Sequence, residues 1–165
     1  MPSSHASTVR PRTLSRVFAL QILYQHHVTR EPVEPAWERL WAGDEAVAAD
    51  GPVRDFAQML VSLAMKHLDT IDGLIEQYAR QRALHRLAAV DLALLRLGCA
   101  ELLYVADVPP AVTINEIVEL AKQFSAEESS RFINAVLDRV RTLRSQIADT
   151  DRVASQWPSS EGMHP

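Results

Sequence analysis

Residues 87–105 read LAAVDLALLRLGCAELLYV, with only three charged side chains, Asp91, Arg96 and Glu101, each five residues from the last. At 3.6 residues per turn a step of five rotates a side chain by ~140°, so the three share no polar face. A helix this apolar around its circumference has to be covered on several sides, which makes it the central helix of an all-α fold. Its charges must emerge at gaps or find partners, because an unpaired buried charge is costly. Cys99 lies in the same run and is the only cysteine of the chain. No internal disulfide can form, which fits a reducing compartment, and a buried structural thiol is expected rather than a reactive one.

Working outward, Asp107-Val108-Pro109-Pro110 ends this helix and starts the next, since proline is tolerated in a first helical turn. In the sixth helix Ile114, Ile117, Val118 and Ala121 form the inner stripe, and Asn115, Glu116, Glu119 and Gln123 the outer face. Ser125-Ala126-Glu127-Glu128 fits a capping box, with Ser125 as N-cap. A seventh helix then carries Phe132, Val136, Val140, Leu143 and Ile147 inward. On the N-terminal side a first helix is predicted over residues 13–29 and a short one near 35–41, after Pro32 and Pro35 break the chain. A loop is expected at 43–51, a third helix over 52–67, and a fourth starting at Asp69 or Asp72, either a suitable N-cap, and running to about Gln81. Trp37 and Trp41, one turn apart, are read as closing the short helix over the core, the alternative being a contact between molecules.

The ordered domain is expected over residues 11–147, with a flexible basic arm at 1–10 and a disordered tail at 148–165, where Pro158, Ser159, Ser160, Gly162 and Pro165 collect. A chain of 165 residues has the size of one domain. No apolar stretch approaches the ~20 residues needed to span a bilayer. The polar N-terminus lacks the apolar segment of a secretory signal, so a cytoplasmic location is expected.

The net charge of −4 is unevenly spread. Residues 1–30 carry Arg10, Arg12, Arg16 and Arg30 without an acid, whereas residues 31–128 carry 8 basic and 17 acidic side chains. A basic start on an acidic body suggests a polyanionic partner at one surface and a cationic one at another.

Catalytic signatures are scarce. The sequence has no phosphate loop, glycine-rich dinucleotide turn, CxxC or HExxH, and its histidines make no i,i+4 pair. Within the expected domain, residues 11–147, no carboxylate precedes a histidine by three residues as a di-iron bundle would require. The reading is therefore of a non-enzyme, with no catalytic residue, metal or cofactor expected.

Three blocks resemble the NusB family of transcription antitermination factors: ALQILY at 19–24, VDLALLR at 90–96 leading to AEL at 100–102, and DVPPAVTINEIVELAKQFSAEESSRFINAVLD at 107–138. The most specific part is Ile114-Asn115-Glu116 followed by Glu119 to Lys122, then Phe132 and Asn134 before Val136-Leu137-Asp138. The resemblance covers residues 11–147 in the family's order. It implies a compact seven-helix fold of two packed three-helix units plus a short extra helix.

It also implies pairing with NusE, a small-subunit ribosomal protein, and binding to the boxA element of nascent RNA. The complex would join other Nus factors on RNA polymerase and support antitermination during ribosomal RNA synthesis. Arg12 and Arg16 match part of the family's N-terminal arginine-rich motif, and the acid-free start adds Arg10 to the RNA-binding set. Phe124, Glu128, Arg131, Phe132 and Asn134 fall in the second RNA-facing segment, and Tyr24 and Asp91 match positions facing NusE. Guanidinium groups neutralise phosphates, aromatic rings offer stacking surfaces to unpaired bases, and an acid suits a basic ribosomal protein. Phe132 and Tyr24 read equally as core aromatics, and Asn134 as an amide tying helix seven to a neighbour.

Two departures remove positive charge. The arginine cluster is thinned to Arg12-Thr13-Leu14-Ser15-Arg16, and Ala111 follows Pro110 where a basic residue is common. They favour a second reading, a helical adaptor whose partner is a protein alone. The family's domain also occurs fused to ribosomal RNA cytosine methyltransferases, and a length of 165 residues argues against that enzyme here. The acidic body also permits a homodimer through the partner face.

Overall fold

In the computed structural model, which describes residues 9–43, 51–80 and 82–156, seven helices follow in order. They are α1 (Pro11–Thr29), α2 (Val33–Ala42), α3 (Gly51–Lys66), α4 (Leu68–Tyr78), α5 (Ala89–Tyr104), α6 (Pro110–Phe124) and α7 (Glu127–Gln156), with one 3-10 turn at Leu84–Arg86 before α5. Among the described residues there is no strand, and no helix is long and apolar enough to cross a membrane.

Every residue of α5 from Asp91 to Leu102 is buried. The helix is enclosed by α1 and α3 on one side, α6 and α7 on another, and α4 besides. That enclosure answers to its apolar circumference. α1, α2 and α3 form one unit and α5, α6 and α7 the other, with α4 touching α3, α5 and α7 between them. The approach of α7 is close: a Cβ on Gly98 would lie 2.9 Å from both Leu137 methyls and 3.4 Å from Ile117 Cγ1.

The three charges of α5 find partners rather than gaps. Asp91 accepts from Ser125 and Ser129, Arg96 forks onto Asp72, and Glu101 meets Arg16 and Thr113. Buried ionic groups persist when their lone pairs and protons are matched in this way. Cys99 is fully buried, and burial, aided by Asp72, pushes its thiol up to about 12, so it is inert at neutral pH. Trp37 and Trp41 stack at 5.0 Å with Phe18 edge-on to Trp41 at 5.3 Å, so this pair closes the short helix over the core.

Several boundaries differ from the sequence reading. α4 starts at Leu68 with His67 at its N-cap, so neither Asp69 nor Asp72 caps it, and Asp72 is engaged by Arg96 instead. α7 starts at Glu127, and the Ser125 hydroxyl donates to Asp91 rather than capping the helix. The buried face of α7 is Ile133, Val136, Leu137 and Val140, while Phe132 and Leu143 are half-buried at its margin. The stripe turns because α7 packs on α4, α5 and α6 at once.

α7 also continues to Gln156, past the expected end at 147, since residues 148–156 contain no proline or glycine and Pro158 is the first breaker. The expected arm at residues 1–8, most of the loop at 44–50 and the remainder of the tail at 157–165 lie outside the described residues, as does the side chain of Ile147.

Candidate nucleic-acid interface

Glu101 is an acid that α5 carries into the core, and its needs decide the orientation of α1. The Arg16 Nε donates to Glu101 Oε2 at 2.9 Å, and a second Arg16–Glu101 bond runs from Nη2 to Oε1. Thr113 donates to the same carboxylate at 3.0 Å. Glu116 stands 3.7 Å from the Arg16 guanidinium and accepts from Thr13 at 2.8 Å. The Arg16 side chain is only 3% exposed. Its assignment to RNA is therefore corrected: a guanidinium already shared by two carboxylates and closed off from solvent has no free face for a phosphate.

Arg10 and Arg12 remain at the surface beside this cluster. Arg10 precedes the first turn of α1, and its carbonyl accepts from Leu14 at 3.0 Å. The Arg12 side chain is 51% exposed, lies 4.4 Å over the Phe56 ring and reaches Asp107 at a loose 3.5 Å. Both line a small recess of about 200 Å³ with Pro109 and Val112 at the start of α6.

The second segment is assembled where α6 meets α7. Arg131 and Asn134 line a groove of about 630 Å³ on α7 with Val118 and Lys122 of α6, and the Arg131 side chain is exposed. Lys122 is engaged by Glu119 at 3.0 Å. Glu128 is exposed at the first turn of α7. Phe132 does not join this groove: it is packed against the core, and the Arg82 guanidinium lies 4.5 Å over its ring. Its core and surface readings thus each describe one side of the ring.

Tyr24 is 44% exposed and Phe124 46%, and both line one groove of about 480 Å³ with Val17, Leu20, Ala89 and Val90. Residues assigned from sequence to two different partners are thus brought together. Asp91 is not on that surface as an open acid. It is 7% exposed, accepting from Ser125 Oγ at 2.5 Å and Ser129 Oγ at 2.8 Å, so the expectation of an exposed carboxylate facing a basic protein is corrected. The carboxylate fastens the α6–α7 turn to α5, between Phe124 and Glu128. Arg82 and Ser129 were not singled out by sequence, because isolated polar residues on helix margins and loops carry no periodic signal.

The chain is similar to known proteins over most of its length. Residues 13–142 match the model of the NusB family. The transcription antitermination protein NusB of Myxococcus xanthus is 44% identical over 133 residues, covering 78% of this chain and 93% of the relative. That of Chloroherpeton thalassium is 34% identical over 164 residues, covering 91% and 77%. The solved structure of T. maritima NusB superposes with a TM-score of 0.76 at 33% identity, covering 86% of this chain and 98% of that one. A crystal structure of the antitermination factors NusB and NusE in complex with dsRNA gives a TM-score of 0.74 at 27% identity, covering 82% and 98%. On a family match spanning most of its residues and on relatives covered over most of their length, the chain belongs to the NusB family.

Proposed function

We propose that this chain is a transcription antitermination factor that binds boxA RNA together with the ribosomal protein NusE and supports ribosomal RNA transcription. The observation that carries the reading is its likeness, over 98% of the neighbour's chain, to a NusB seen with NusE and dsRNA. Exposed Arg10, Arg12 and Arg131 supply cations for phosphate contacts, and exposed Phe124 supplies an aromatic surface. The groove between Tyr24 and Phe124 suits the protein partner, whose apolar side chains would fill it.

The role is that of an adaptor and not an enzyme, exercised in the cytoplasm, where the RNA-bound pair would join other Nus factors on RNA polymerase. A homodimer through the Tyr24 groove would compete with NusE for the same surface. The burial of Arg16 favours a second reading, a protein-only adaptor, because it withdraws one cation from an already thinned motif. A pull-down of NusE with and without boxA-like RNA separates the two. Retention of the RNA that depends on both proteins supports the first, and NusE capture with no RNA retained supports the second.

A further inference from the structure

Arg82 stands in the connection between α4 and α5, exposed, with its guanidinium 4.5 Å from the centroid of the Phe132 ring. Arg12, Arg16, Arg39 and Arg96 each face a carboxylate, whereas among the described residues no acid lies within ion-pair distance of Arg82. Among those residues its charge is uncompensated, and its planar group lies over an aromatic ring that is itself packed against the core. We propose that Arg82 and Phe132 form a two-layer stacking platform for one unpaired base of the bound RNA. The inference rests on the RNA-binding reading above.

The chemistry follows from the shape of the two groups. A ring partly sunk in the core offers a base little free area, but the guanidinium extends that surface outward as a second plane. Guanidinium planes stack on bases as aromatic rings do, and they are weakly hydrated, so covering the outer face costs little. The edge N–H groups remain free to donate to a neighbouring phosphate. A lysine at the same place would keep the charge but lose the plane.

The test uses the full chain with NusE and a single-stranded boxA-like RNA oligonucleotide, comparing Arg82→Ala and Arg82→Lys with the parent at several salt concentrations, with thermal melting measured alongside. Arg82→Ala should weaken RNA binding on the order of tenfold, the scale of one missing base stack. It should also reduce the salt dependence, while melting stays unchanged. Arg82→Lys should restore the salt dependence but not the affinity. Full affinity in Arg82→Lys would overturn the platform and leave a simple charge contact. Full affinity in Arg82→Ala would overturn any role at the interface. A lowered melting temperature with normal RNA binding would make the Phe132 contact purely structural, which also overturns it. Failure of the parent pair to bind RNA would instead bring down the functional reading and this inference with it.

Discussion

Arg16 and Glu101 form a buried fork across 85 residues of sequence, the guanidinium 3% and the carboxylate 0% exposed. The pair joins the first half of α1 to the last turn of α5, and through Thr113 and Glu116 to α6. Removing one partner strands the other charge away from water. Arg16→Ala should therefore lower unfolding stability by about 3–5 kcal/mol, and Arg16→Met with Glu101→Leu should recover most of it. Denaturant midpoints check this. An Arg16→Ala protein of parental stability that no longer bound RNA would restore Arg16 to the RNA surface.

With Arg16 withdrawn, the electrostatic contribution of the N-terminus falls to Arg10 and Arg12. The double variant Arg10→Ala, Arg12→Ala should bind boxA-like RNA more weakly in the presence of NusE. Its log–log salt slope should be shallower by about 0.7 for each phosphate of the single strand that goes unneutralised. Stability should stay within about 0.5 kcal/mol, since both side chains are largely outside the core. Titrations at a series of salt concentrations decide it, and an unaltered slope would take the arm off the RNA.

The sequence told more about the centre of the fold than about the partners of its charges. The even spread of Asp91, Arg96 and Glu101 around one apolar helix was enough to place α5 at the core, because circumferential apolarity is a local property. Which group would satisfy each charge was not legible. Arg16, Asp72 and Ser125 come from three other helices or turns, and their approach depends on tertiary packing. The same limit explains the mixed outcome at the candidate site. A family resemblance locates an arginine in a motif, but Arg12 and Arg16, one turn apart on α1, differ in burial and in the carboxylates that the neighbouring elements present to them. Arg82 left no trace at all, since nothing in its neighbourhood is periodic.

His27 gives the protein a pH dependence of known sign. Its Nδ1 lies 3.3 Å from the Arg96 Nη1, an arrangement that suits a neutral ring accepting from the guanidinium. Burial first, then Arg96 and Arg30, with a smaller push from His26, hold its pKa below 6.5, and Asp72 opposes them. The unfolded chain therefore binds this proton more readily than the folded one, so stability is full above about pH 6.5 and declines as pH falls through the folded value. His27→Gln should flatten that decline relative to the parent between about pH 7 and pH 5. Melting temperatures across the range measure it, and superimposable profiles would show that His27 does not contribute.

Asp91 separates a structural carboxylate from a partner-facing one. Its two oxygens accept hydroxyl bonds from Ser125 in the α6–α7 turn and Ser129 in the first turn of α7, so its work in the free protein is to hold that junction, which includes Glu128 and follows Phe124. Asp91→Ala would leave the hydroxyls of Ser125 and Ser129 without their acceptor and should cost about 1–3 kcal/mol. Asp91→Asn keeps the shape and one carbonyl acceptor, and the serine hydroxyls are free to rotate, so its melting temperature should stay near that of the parent. Asp91→Lys should be the most damaging, since it places an ammonium where the site offers hydroxyl hydrogens and little water. NusE association should follow this order of stability, with Asp91→Asn binding almost normally. If Asp91→Asn melted like the parent yet failed to bind NusE, the negative charge itself would be what the partner reads, and the carboxylate would have to leave Ser125 and Ser129 on binding.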